Sequence, residues 1–101
     1  MGLLPAAMEN FQKAVNLGPV NPGVYYNHGL ALQSQGQWKQ AEELLLRGMT
    51  LHPQAANINY GLAYFYMQQN LPERAMKYAE VLKAIEPANP EYQELFRSLG
   101  L

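Results

Sequence analysis

Apolar residues recur at helical spacing along most of this chain, and Gly, Pro and Asn interrupt them at regular intervals. Such a pattern predicts a series of α-helices separated by short turns. The predicted helices span residues 5–17, 22–35, 38–51, 55–69, 72–85 and 90–99. No segment shows the alternation of a half-buried strand, so the pattern predicts an all-α fold.

The pattern also repeats every 34 residues. Three sets of residues lie in register at this spacing: Ala7, Ala41 and Ala75; Leu17, Leu51 and Ile85; and Pro19, Pro53 and Pro87. A fixed period of this length is typical of stacked repeat proteins, in which each unit buries its apolar face against its neighbours. The sequence therefore predicts an extended surface made by stacking rather than an enclosed catalytic pocket.

The 34-residue unit resembles the tetratricopeptide repeat, whose pattern is W-x2-L-G-x2-Y, then A-x3-F, then P. The matching residues are Tyr25, Gly29, Leu32, Ala41, Leu45 and Pro53 in one unit, and Leu62, Ala63, Tyr66, Ala75 and Pro87 in the next. Asn59 and Ala79 depart from it, because they stand where the pattern has aromatic residues. The resemblance implies a right-handed superhelical array of antiparallel helix pairs, an α-solenoid.

The register divides this single domain into four segments. Residues 1–21 are the second half of a repeat, 22–55 and 56–89 are full repeats, and 90–101 form a C-terminal capping helix. We expect small residues where helices approach closely and larger ones in the core between them. The expected small residues are Gly29, Ala41, Ala63 and Ala75, and the expected core residues are Leu32, Leu45, Leu51, Tyr66 and Ile85.

Composition excludes several functional classes. The 101 residues carry a formal net charge of −1 and no cysteine, which argues against nucleic-acid binding, disulfides and thiolate catalysis. No nucleophile motif or phosphate-binding loop occurs, and His28 and His52 lack the spacing of metal ligands. We therefore expect a non-enzyme with no catalytic, cofactor or metal site. His28 stands where the repeat pattern has Leu, so we expect a core histidine.

No window of the sequence is typical of a membrane span, and the N-terminus does not resemble a signal peptide. We therefore expect no membrane partner, which favours the cytoplasm but leaves the compartment open. Glu42, Glu43 and Glu73 lie near Arg47 and Lys77 at helical spacing, which indicates solvated pairs on helix surfaces.

Residues 22–35 and 55–69 contain no Asp, Glu, Lys or Arg. The resemblance implies that these first helices of each pair line a concave groove. The groove residues implied are Tyr26, Asn27, Leu30, Gln33, Ser34, Asn57, Tyr60, Tyr64, Met67 and Gln68. Aromatic, Met and amide side chains suit a peptide or protein segment. The sequence thus predicts a non-catalytic interaction module or scaffold.

The aromatic residues of the two uncharged helices can also be part of the hydrophobic core. We expect Tyr25, Phe65 and Tyr66 in the core. Tyr26, Tyr60 and Tyr64 fit the core, an exposed groove, or a surface that flanking chain covers. Because tyrosine can be half-hydrated in the core and in a groove, the residue type does not decide between these two.

One subfamily of tetratricopeptide repeat proteins binds the C-terminal carboxylate of its partner with Lys, Asn and Arg side chains on the groove helices. Asn27 matches one of its asparagines, but the positions for cations hold Gly23, Asn57, Glu91 and Leu95. With Glu91 and Glu94 at one end, the groove favours a neutral to basic and apolar partner over an acidic C-terminus.

Two alternatives remain. The unpaired N-terminal helix, through Leu4, Phe11 and Leu17, could pack on another copy and make the chain a self-assembling homo-oligomer. Because residues 1–21 match only the second half of a repeat, the chain could also be an adaptor fragment of a larger tetratricopeptide repeat protein.

Overall fold

A computed structural model of the chain describes residues 21–101. In this range the helices are α1 (Pro22–Ser34), α2 (Trp38–Leu51), α3 (Ala56–Gln68), α4 (Pro72–Ile85), a 3-10 turn (Pro90–Tyr92) and α5 (Gln93–Ser98), and there is no strand. The predicted all-α helical-repeat fold is confirmed. The predicted helix 5–17 and the self-association residues Leu4, Phe11 and Leu17 lie outside the described residues.

The predicted helix boundaries hold to within about a residue, with one exception. The segments 38–51 and 72–85 are α2 and α4, whereas α1 and α3 are slightly shorter than predicted. The predicted helix 90–99 is instead a 3-10 turn followed by the six residues of α5. Pro90 starts this turn, and the Asn89 side chain caps it by accepting a hydrogen bond from the backbone N–H of Glu91 at 2.9 Å.

Asn21 directly precedes α1, and its side chain forms no capping hydrogen bond. The backbone takes that role, since the carbonyl of Asn21 accepts a hydrogen bond from the N–H of Val24 at 3.1 Å. Pro22 still begins the helix, where its missing N–H costs nothing.

The two helix pairs turn at equivalent positions. Gly36 has φ +76° and Asn70 has φ +64°, and these residues lie one period apart. Gly and Asn are the residues that adopt a left-handed conformation most readily, which is why they end helices here. The three-residue connections 35–37 and 69–71 make each pair antiparallel.

Helix α3 joins the two pairs. Helix α1 packs on α2 and α3 on α4, while α3 also contacts both α1 and α2. Glycines permit this close approach: a Cβ atom at Gly29 would lie 2.8 Å from the Leu45 side chain, and one at Gly48 would lie 2.8 Å from Ile58 Cδ1. Larger residues at these two positions would force the helices apart.

The core is largely the predicted one. Tyr25, Phe65 and Tyr66 are buried, as are Leu32, Leu45, Ala41, Ala63 and Ala75. Ile85 is only half-buried. The prediction for Leu51 is wrong, since it is 46% exposed. Leu51 is the last residue of α2, so no following turn of that helix shields its side chain.

Side-chain amides hold the turns between units. Asn59 Nδ2 donates to the carbonyl oxygens of Pro53 at 3.1 Å and Ala55 at 2.9 Å. One period later, Gln93 Nε2 donates to the carbonyl oxygens of Pro87 at 2.9 Å and Asn89 at 3.0 Å. The amide therefore ties each first helix to the turn before it, which gives Asn59 a role at a position where the repeat pattern has an aromatic residue.

Glu42 connects the two pairs across their back. Its Oε2 accepts a hydrogen bond from the Tyr66 hydroxyl at 2.6 Å and lies 3.9 Å from Arg74 Nη1. The prediction of a solvated surface pair within α2 is therefore wrong for Glu42, because residues of α3 and α4 reach it first. This carboxylate binds both helices of the second pair to the first pair.

We expect Ala75→Leu to lower the free energy of unfolding by about 1–3 kcal/mol, because added methylenes overpack a full interior. Ala75 is 0% exposed. The matched control is Ala84→Leu at an exposed position of the same helix, which should change stability little. Urea denaturation followed by circular dichroism measures both, and equal effects would show that the contact at Ala75 is not tight.

We expect Tyr66→Phe to cost about 1–2 kcal/mol of stability, since it removes one hydroxyl that donates to a carboxylate. Tyr78→Phe is the control, because Tyr78 is also buried and stacks on Tyr66 with ring centroids 5.9 Å apart. Denaturation of both variants checks the expectation. A loss in Tyr78→Phe as large as in Tyr66→Phe would show that the bond to Glu42 adds nothing beyond the loss of any buried tyrosine hydroxyl.

Candidate functional site

Four tyrosines form a continuous aromatic surface, here called the tyrosine cluster: Tyr26, Tyr60, Tyr64 and Tyr92. They come from the successive segments 22–55, 56–89 and 90–101, here called the first, second and third units. The Tyr60 ring centroid lies 6.5 Å from that of Tyr26, 6.1 Å from that of Tyr64 and 5.0 Å from that of Tyr92. Tyr60 is therefore the centre of the cluster and contacts every other member.

The repeat produces this arrangement. Tyr26 and Tyr60 occupy the same position one period apart, so the packing of α1 against α3 brings their rings together. Tyr60 and Tyr64 are four residues apart on one helix, and their rings stack at an interplanar angle of 24°. Both observations fit the expectation of a shared face.

Burial is graded across the cluster. Tyr92 is buried, Tyr26 and Tyr60 are half-buried, and Tyr64 is 38% exposed. Burial raises the pKa of Tyr26, Tyr60 and Tyr92 above its usual value, and neighbouring tyrosines add to the effect. At neutral pH the cluster is therefore an uncharged, partly exposed aromatic surface.

The other predicted groove residues differ in how much surface they offer. Asn27, Ser34 and Gln68 are exposed, and Leu30, Asn57 and Met67 are half-buried. Gln33, by contrast, is only 8% exposed and presents little side chain to any partner. The Ser34 hydroxyl donates to the carbonyl of Ala31 at 2.9 Å, so it also bonds within its own helix.

Asn57 carries an unused acceptor. Its Oδ1 is shielded from solvent and accepts no hydrogen bond within residues 21–101. A buried acceptor without a donor costs about 1–3 kcal/mol. Asn57 lies three residues before Tyr60 on α3, so this acceptor stands on the same side of the helix as the cluster.

Charge is confined to one end of this surface. Helices α1 and α3 contain no charged residue, whereas Glu91 and Glu94 of the third unit are exposed. Glu91 contributes to the raised pKa of Tyr26, Tyr60 and Tyr92, and Glu94 to that of Tyr60. Both carboxylates therefore lie within electrostatic reach of the cluster.

Sequence reasoning missed Tyr92. It lies one period after Ile58, a fully buried residue, and this register is the signal that could have found it. Because Pro90 and Asn89 shape the segment as a 3-10 turn, Tyr92 packs against Tyr60 and extends the cluster into the third unit.

His28 is a core histidine, as predicted, with 3% exposure. Burial lowers its pKa below the usual 6.5, because the charged imidazolium is poorly solvated there. Within the described part of the chain, no three His, Asp or Glu side chains come together as a metal site would require. Nor does any helix among residues 21–101 have the length and apolar character needed to cross a membrane.

Comparison with known proteins matches nearly the whole sequence. Residues 32–99 match the family model described as tetratricopeptide repeat, and residues 1–36 match one described as TPR repeat. The chain is also similar to the uncharacterized protein MJ0572 of Methanocaldococcus jannaschii. The two are 30% identical over 59 residues, which is 58% of this chain and 69% of that protein.

We expect the free energy of unfolding to decrease as the pH falls below about 6.5, because the unfolded chain then protonates His28 more readily than the folded chain does. Above that pH both states hold the neutral imidazole and the effect vanishes. His28→Leu should abolish this slope. Urea titrations between about pH 5.5 and 7.5 measure it, and an unchanged slope in the variant would assign the pH dependence elsewhere.

Proposed function

The chain belongs to the tetratricopeptide repeat family, and we propose that it is an interaction module that binds a peptide or protein segment on the tyrosine cluster. Repeats of this family generally mediate interactions between proteins and are generally non-catalytic. The observation that carries the proposal is the contact between tyrosine rings of three successive units on one uncharged, partly exposed surface.

The physical chemistry of these rings supports binding. Tyrosine side chains dominate many protein interfaces because they bury a large area with few rotatable bonds. Each ring here is held by contact with another ring, so little conformational entropy remains to be lost when a partner docks. Exposed apolar surface that a partner covers contributes about 25 cal/mol per Å².

Polar groups beside the rings supply hydrogen bonds. Asn27 and Gln68 present exposed amides. Backbone N–H and C=O groups of a bound segment can pair with these amides. Such bonds support a peptide ligand over a purely apolar one.

The charges define the partner's chemistry. Because α1 and α3 carry no Lys or Arg, they offer nothing to hold an acidic C-terminus. The nearby carboxylates of Glu91 and Glu94 repel acidic ligands. The partner that fits is therefore a neutral to basic segment with apolar side chains.

We expect the triple variant Tyr26→Ala, Tyr60→Ala and Tyr64→Ala to lose partner binding at least about tenfold, since it removes the aromatic contact area. A pull-down with quantitative mass spectrometry, comparing the intact chain with the variant, measures this. Circular dichroism must show unchanged helical content in the variant.

Trp38→Ala is the matched control, because Trp38 is an exposed aromatic residue of α2 outside the cluster. The control should retain the proteins captured by the intact chain. Equal capture by the triple variant and the intact chain would refute binding on the tyrosine cluster.

A further inference from the structure

Equivalent positions in the three successive units change from aromatic or neutral to acidic. Tyr26, Tyr60 and Glu94 share one repeat position, and Gly23, Asn57 and Glu91 share another. The two carboxylates thus replace the neutral residues only in the third unit. The surface therefore has a direction along the stacking axis, from an aromatic end at α1 to an anionic end beside Tyr92.

The anionic end is continuous with the tyrosine cluster. Tyr92, which follows Glu91 directly, has its ring centroid 5.0 Å from that of Tyr60. Among residues 21–101, Glu91 and Glu94 form no ion pair, although Arg97 follows Glu94 by three residues on α5. The other cations of the described segment lie on α2 and α4, at Lys39, Arg47, Arg74, Lys77 and Lys83.

We propose that the bound segment is extended and carries a Lys or Arg that docks between Glu91 and Glu94, about six residues from an apolar side chain that docks beside Tyr26 and Leu30. This inference rests on the proposed function of the tyrosine cluster and assigns a polarity and a sequence spacing to its ligand. The cationic group meets two carboxylates and the neighbouring faces of tyrosine rings, which attract cations.

The spacing follows from the geometry of helix packing. Neighbouring helix axes lie about 8–10 Å apart, so two steps from α1 to the third unit span roughly 20 Å. An extended chain rises about 3.3 Å per residue, which places about six residues across that distance.

Hydrogen bonding favours an extended ligand over a helical one. A helix satisfies most of its backbone groups internally, whereas an extended segment needs partners for its N–H and C=O groups. The exposed amides of Asn27 and Gln68 can supply them. Apolar ring contact and backbone bonds would then alternate along the ligand.

The test is a display selection with random peptides of about twelve residues, long enough to cross a face of roughly 20 Å. Peptides are selected on the intact chain and counterselected on the triple tyrosine variant. We expect enrichment of sequences with a Lys or Arg about six residues from an apolar residue. Each selected peptide is then synthesised with its cation and with Gln in its place, and both affinities are measured by fluorescence anisotropy.

A charge-matched comparison locates the cation. In the intact chain, replacing the peptide cation by Gln should weaken binding roughly threefold to tenfold, and added salt should reduce that difference. In Glu91→Gln/Glu94→Gln the same replacement should matter less than about twofold. Glu43→Gln/Glu80→Gln removes two exposed carboxylates from the back and should behave as the intact chain does.

The outcomes separate the two proposals. Two results would overturn this inference and leave the interaction surface standing. In the first, the selected peptides need the tyrosines but bind equally well with and without a cation. In the second, they bind better with a cation even to Glu91→Gln/Glu94→Gln. Peptides that bind the triple tyrosine variant equally well, or no peptides at all, overturn both.

Discussion

The close packing of α3 against α1 and α2 is the constraint on which the rest of the structure depends. Gly48 of α2 leaves room for Ile58 of α3, and Gly61 of α3 leaves room for Tyr26 of α1, whose Cδ1 would lie 3.0 Å from a Cβ atom at Gly61. Because these contacts set the distance between α1 and α3, they also set the distance between Tyr26 and Tyr60. A wider separation would break the aromatic contact at 6.5 Å and divide the surface in two.

The two sides of the array are held by different forces. On the back, Glu42 accepts a directional hydrogen bond from Tyr66 that restricts the angle between the pairs, and an ion pair with Arg74 at 3.9 Å adds to it. On the opposite side the tyrosine rings meet through aromatic contacts, which tolerate small shifts. Because Tyr66 is otherwise buried in the core, its hydroxyl links the core to this back contact. The polar contact therefore restricts the angle between the pairs, while the ring contacts hold the tyrosines of the opposite side in place.

The sequence predicted most of the fold because its strongest signals are local. Helical periodicity, Gly36 and Asn70 at the turns, and Pro at the helix starts each act within a few residues, and they agreed with one another. The errors have a different origin. Leu51 is exposed because it ends its helix. Glu42 is bound by residues of α3 and α4. The periodicity of a single helix contains no information about where that helix ends against its neighbours or which other helices reach it.

The candidate site was predictable in part for the same reason. The register placed Tyr26 and Tyr60 in equivalent positions, and their ring contact follows from the repeat. Tyr92 escaped prediction because its packing depends on a 3-10 turn at Asn89 and Pro90 rather than on a regular helix. The burial of Gln33 likewise reflects its three-dimensional surroundings, since its position in the repeat alone suggested a groove residue.

This chain departs from the repeat pattern in where it places amide and aromatic side chains. At the opening position of successive units, Asn59 and Gln93 hold the turns with amide hydrogen bonds instead of burying an aromatic ring. Aromatic residues are instead concentrated in the cluster around Tyr60, where Tyr92 is buried, Tyr26 and Tyr60 are half-buried and Tyr64 is exposed. The buried part of these rings contributes to folding. The exposed part adds nothing to the stability of the isolated chain, and it is this area that the proposed partner would cover.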